Sequence, residues 1–187
     1  MRVVGVLIGI SIALSAVASP LVPGAPVPPL QINGPERGLL KRGVGASLTY
    51  QPFDSRRVIP GKVRVTIHMA ARPGAKSDGQ RLTDALAAAK LDPSQFQVLV
   101  VLAGDDCIFG TCFLVRGQFE DQVREHRATV FVYDDQGEGR ARWGLPRKAF
   151  TALLTDRDGR IVRAKSGVFS AADAQAYLRE IRALMNP

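Results

Sequence analysis

GKVRVTIHMAARPGAK, residues Gly61–Lys76, alternates β-branched with polar residues, breaks into an Arg/Pro/Gly loop and then enters a helix. A strand feeding a loop on a helix N-terminus is where α/β folds place their chemistry. Downstream, Ser77 or Asp78 is positioned to cap the helix, and Leu82, Ala85, Leu86 and Ala89 share one helical face until Asp92-Pro93 ends it. Phe96–Leu102 is a near-continuous apolar run, as expected of a strand buried on both faces of a parallel sheet. Gly104-Asp105-Asp106 closes that strand, and a helix over Cys112–His126 follows, with Val115, Phe119 and Val123 on one face. Thr129–Tyr133 reads as the third strand, and Glu138–Arg147 as irregular chain or a short helix around Trp143. Ala149–Thr155 and Arg160–Lys165 form a hairpin across Asp156-Arg157-Asp158-Gly159. The last helix opens at Ser170, with Asp173 in the place of a capping-box acid and Tyr177, Leu178, Ile181 and Leu184 on its inner face.

Upstream of Gly61 the signals are weaker. Leu30-Gln31-Ile32 reads as a short strand and Leu48–Gln51 as its hairpin partner, with Gly38–Gly45 as a basic loop between them. Pro20–Pro29 is proline-rich, an extended lead with freedom to move. The order is thus a β-hairpin, then β-α-β-α-β, a second hairpin and a helix. Right-handed crossovers place 129–133 beside 96–102, and 96–102 beside 62–68. The expectation is an α/β domain over residues 30–187: a five-stranded mixed sheet with helices on both faces, preceded by an N-terminal β-hairpin.

The chain's 187 residues suit one domain of this kind. Its start combines Arg2, the apolar run Val3–Leu14 and the site Ala16-Val17-Ala18. Those are the parts of a secretory signal peptide, assigned to residues 1–18, with the lead at 19–29. Nothing after the leader is apolar for long enough to span a bilayer, so the expectation is a periplasmic protein. The formal net charge of +8 is spread along the chain, mostly as arginine. A solvated basic surface accounts for that spread, and attraction to anionic lipid or cell-wall polymer is compatible with it. No basic-aromatic motif points to nucleic acid.

The element order resembles the thioredoxin-like fold in its peroxiredoxin and TlpA-type form. Across Val22–Asn186 the details are similar to the YtfJ family of exported bacterial proteins. The matching segments are PGAPVPPLQINGPERG, GKVRVTIHMAARPGAK, Asp105-Asp106, FLVRG and TDRDGRIVRAKSG. The resemblance implies a periplasmic thioredoxin-like domain and no particular activity. Thioredoxin-like oxidoreductases carry a Cys-x-x-Cys pair at the segment matching His68–Gly74, with the thiol pKa lowered by the helix N-terminus. Here that segment has no sulfur nucleophile. Phe150 stands where such folds place their cis-proline, and Pro146 falls too early.

Chemistry would then rest on Cys107 and Cys112 or on charge. In an oxidising compartment the two cysteines suit a structural disulfide that adds roughly 2 kcal/mol by loop-closure entropy. The alternative is a redox-active pair, making the protein a thiol-dependent oxidoreductase or peroxidase. His68, Arg72, Lys76, Asp105, Asp106 and Lys148 converge on the C-terminal edge of the sheet. They are candidates for binding a small anionic ligand or an envelope partner; the plainer reading pairs Asp105 or Asp106 with Arg72 or Lys76 at the surface. His68, two aspartates and a cysteine have no metal-ligand spacing, and no nucleophile elbow accompanies His68 or His126, so neither a metal nor another cofactor is expected. The leading expectation is a binding or accessory protein of the cell envelope.

Overall fold

The computed structural model describes residues 21–186; the leader assigned to residues 1–18 lies outside them. In chain order the elements are β1 (Gln31–Ile32), β2 (Gly38–Arg42), β3 (Leu48–Gln51), β4 (Phe53–Asp54), β5 (Val63–Ala70), α1 (Pro73–Ala88) and β6 (Phe96–Ala103). There follow α2 (Cys112–Glu125), β7 (Val130–Asp134), α3 (Glu138–Trp143), β8 (Phe150–Thr155), β9 (Ile161–Ser166) and α4 (Ala171–Met185). Strand β5 lies inside the sheet, parallel to β6 from Val63↔Phe96 to Ala70↔Ala103 and antiparallel to β8 on its other side. Both of its faces are buried. Val63, Val65 and Ile67 pack under α1 and α4, while Arg64, Thr66 and His68 are buried on the reverse face.

The five expected strands run in the order β7-β6-β5-β8-β9, but among the described residues the sheet has seven. β2 pairs antiparallel with β7, and β3 closes the edge against β2. The N-terminal hairpin therefore differs from the expectation: Gly38–Arg42 is a strand, not a basic loop, and it is the partner of Leu48–Gln51. Leu30–Ile32 pairs elsewhere, through β1 with β4. Leu39 and Leu40 explain the difference. One packs into the cluster of Leu99, Val101 and Val132, the other into that of Leu102, Phe119 and Phe131, so the segment joins the sheet despite Lys41 and Arg42.

Successive right-handed crossovers in one direction bring α1 and α2 to the same face, and α4 packs beside α1. The opposite face is covered by α3 and the N-terminal segment, with Leu30, Ile32, Phe53 and Trp143 buried against β6 and β7. The proline-rich lead is extended but pinned from Leu21 onward. The Gly24 N–H donates to the Ile161 carbonyl at 2.7 Å, and the Trp143 indole donates to the Pro28 carbonyl at 2.8 Å. Helix α4 starts with the expected reciprocal capping by Ser170 and Asp173.

Candidate functional site

At the C-terminal end of β5 the chain turns directly into α1. Arg72 is the extended N-cap residue and Pro73 the first helical residue, where a missing N–H costs nothing. Neither Ser77 nor Asp78 caps this helix; the Ser77 hydroxyl donates to the Pro73 carbonyl at 3.2 Å. The helix begins four residues before Ser77 because proline's fixed φ already suits the first turn. The turn thus presents Ala70-Ala71-Arg72-Pro73-Gly74.

The two aspartates after β6 pair, but not with Arg72 or Lys76. Residues Gly104–Asp106 form a 3-10 turn that carries the carboxylates towards α3 and the segment leading into β8. Asp105 meets Arg140 at 2.8 Å, and Asp106 meets Arg147 at 2.9 Å. Asp106 also accepts the Lys148 N–H at 2.8 Å. Burial alone would push the Asp106 carboxyl up, yet the Lys148 N–H and the Arg147 guanidinium leave it below the usual carboxylate range. Lys148 thus contributes its backbone, held at φ 58°, while its side chain is exposed. Arg72 joins the same corner through its Nε, which donates to the Asp106 carbonyl at 2.8 Å.

His68 is not at the open edge. Its ring is 3% exposed beneath α3, edge-on to Trp143 with centroids 6.3 Å apart. Burial lowers its pKa to about 4, against the opposing pull of Asp134 and Asp105, so the imidazole is neutral at physiological pH. Its neighbour Asp134 is fully buried and accepts the N–H groups of Glu138 and Gly139, at 3.1 and 2.7 Å, satisfying the start of α3. Arg37, 5% exposed, reaches over from the turn before β2 to Asp134 at 3.6 Å, Asp135 at 2.9 Å and Glu138. The sequence did not single out Arg37, Glu138 and Arg140, because charged residues in a turn or a short helix read as solvated. The available signal was Asp134 four residues ahead of a short Glu-led helix.

Cys107 and Cys112 form a disulfide with Cα atoms 5.4 Å apart. Cys107 packs against the cluster around Leu102 and Phe119, and Cys112 is the first residue of α2. Around the bridge, Ile108, Phe109, Phe113 and Leu114 are exposed. Among the described residues no group of three His, Cys, Asp or Glu is arranged to hold a metal ion. None of their helices is long and apolar enough to cross a membrane. A groove of about 640 Å³ lies between α1 and α2, floored by Met69, Val100 and Leu102, with Arg72 and Lys76 along it.

Comparison with solved structures places the fold. A candidate protein disulfide isomerase from Bacteroides thetaiotaomicron is similar at TM-score 0.61 and 11% identity, over 92% of this chain and 96% of that one. The thioredoxin domain of a thiol-disulfide oxidoreductase from Bacteroides vulgatus is similar at TM-score 0.51 and 15% identity, over 86% and 99%. The fold is thioredoxin-like. In sequence, an uncharacterised protein YtfJ from Escherichia coli is 29% identical over 162 residues, covering 87% of this chain and 86% of its own. An uncharacterised protein from Haemophilus influenzae is 29% identical over 140 residues, covering 75% and 76%. The model of the family described as "Bacterial protein of unknown function (YtfJ_HI0045)" matches residues 21–184, and the chain belongs to that family.

Proposed function

We propose that this protein is an exported binding or accessory protein of the cell envelope that holds an anionic ligand or partner at the C-terminal edge of its sheet. The observation that carries the reading is the β5–α1 turn. Where a thiol pair would serve electron transfer, Arg72 and Pro73 open a sixteen-residue helix, and Lys76 stands exposed one turn inside it. Of the six edge residues singled out in the sequence, His68 is enclosed, while Asp105, Asp106 and the Lys148 backbone are engaged internally. Arg72 and Lys76 remain to meet an anion, with the dipole of α1 favouring negative charge. Export rests on the leader in residues 1–18.

The test is a titration with inorganic phosphate followed by amide chemical shifts. Shifts are expected at Arg72–Lys76 and are lost in the Arg72→Ala/Lys76→Ala double variant, whose melting curve stays near that of the wild type. Phosphate that perturbs no amide of this turn would overturn the reading. A second reading, thiol–disulfide exchange through Cys107 and Cys112, is favoured by Cys112 at the first position of α2, where a helix N-terminus lowers a thiol pKa. Insulin reduction or peroxide turnover that disappears in Cys107→Ser would establish it. A Cys107–Cys112 potential below about −300 mV would mark a structural bridge instead.

A further inference from the structure

The sheet face between α1 and α2 is incompletely covered. Met69 and Val100 are only partly buried there, although Ile67, Leu102, Phe119 and Phe131 around them are buried. The resulting groove, about 640 Å³, has the size of small-molecule sites, roughly 300–1,000 Å³. Its floor comes from β5, β6 and β7, whose main-chain groups are spent on one another in two parallel ladders. A peptide laid on such a floor finds no main-chain N–H or C=O of the strands to pair with, and only wall side chains such as Gln80, Thr83, Gln118 and Gln122 to meet its amides. A hydrocarbon chain has no polar groups to satisfy. The floor offers it methyl groups, a thioether and aromatic rings.

One end of the groove differs. Arg72 and Lys76 line it where β5 enters α1. Arg72 uses Nε on the Asp106 carbonyl, which holds the guanidinium in place and leaves its terminal nitrogens without protein partners among the described residues. Lys76 is exposed. The acids near this end are already engaged, Asp105 by Arg140 and Asp106 by Arg147. Asp84, further along α1, accepts a bond from Gln80 at 2.7 Å. The groove is therefore apolar along its floor and cationic at its sheet-edge end.

We propose that this groove binds a single-chain anionic amphiphile, its head on Arg72 and Lys76 and its tail along Met69, Val100 and Phe119. The proposal rests on the reading of the sheet edge as an anion site and adds the hydrocarbon tail to it. The experiment is calorimetric titration of the delipidated full chain with decanoate, decanol and acetate. Decanoate is expected to bind and acetate to bind at least about a hundredfold more weakly. Arg72→Ala/Lys76→Ala should weaken decanoate about tenfold and leave decanol unchanged. Ala87→Trp from one wall and Gln122→Trp from the other both replace exposed residues lining the groove, so the fold is retained. Each should weaken decanoate by about tenfold or more. Unchanged decanoate affinity in both tryptophan variants, or acetate binding as well as decanoate, would overturn the tail site and leave the anion-binding edge standing. Decanoate binding that ignores the loss of Arg72 and Lys76 would overturn the assignment of the head; absence of decanoate binding would overturn the amphiphile site, while the phosphate titration decides the anion-binding edge separately.

Discussion

His68 sits in a closed compartment with Asp134, Asp105 and Asp106 nearby and Arg140 opposing them, and its Nε2 has no hydrogen-bond partner among the described residues. Its folded pKa of about 4 lies below the ordinary 6.5. Between those values the unfolded chain therefore takes up a proton that the folded chain refuses. The favourable contribution is complete above about pH 6.5 and is lost as pH falls towards 4, reaching about 3 kcal/mol. Urea titrations at pH 7 and pH 4 are expected to show wild type losing that much more stability than His68→Gln. Parallel losses in the two proteins would mean that His68 accepts the proton while folded. The alternation of the β5 segment put a polar residue at position 68. Its burial depends on α3 and the N-terminal segment lying over that face, which is information from other parts of the chain.

At the scale of elements, α1 is seated by the absence of a side chain. A Cβ at Gly79 would lie 2.1 Å from the Phe150 ring, and that ring is fixed edge-on against Phe169 with centroids 5.3 Å apart. Gly79→Ala should therefore cost about 1–3 kcal/mol through overpacking, since the ring or the helix must shift to admit the methyl group. Gly117, in the middle of α2, has no neighbour within 4 Å of an added Cβ. Gly117→Ala should add about 0.5–1 kcal/mol through helix propensity. Shifts of the urea midpoint in opposite directions check both; equal effects would sink the account of how α1 docks. The spacing of Leu82 and Leu86 was enough to orient this helix inward, and both are buried. That a glycine between Lys76 and Leu82 is the contact point was not legible, since Phe150 lies on a strand beyond two intervening helices.

The whole molecule depends on its N-terminal segment more than the proline-rich composition suggested. Leu30 and Ile32 are at most 2% exposed, and the Pro28 carbonyl is the acceptor of the buried Trp143 indole. Removing two buried aliphatic side chains and orphaning one indole N–H should cost about 4–9 kcal/mol. A chain starting at Gly34 is expected to lose its cooperative melting transition or to melt tens of degrees lower, whereas a chain starting at Leu21 keeps it. Equal melting of the two would show that the segment only decorates the sheet. The charged cluster is likewise a property of the assembled molecule. Arg37 reaches Glu138 across 101 positions of sequence, and nothing near either residue announces the other.

Local signals in the chain were sufficient for the strand–helix alternation from Gly61 to the C-terminus, the Asp156–Gly159 hairpin and the Ser170–Asp173 cap. Each is set by neighbours within a few positions, through side-chain periodicity, turn conformation or a hydrogen bond to the next turn. The sequence was also sufficient to show that no cysteine stands at the β5–α1 turn. Tertiary structure alone decided that Gly38–Arg42 extends the sheet, that Asp105 and Asp106 turn to Arg140 and Arg147, and that α1 and α2 leave a groove over β5 and β6. These outcomes follow from which distant surfaces meet and from the volume left between them, and no local pattern of residues carries that information.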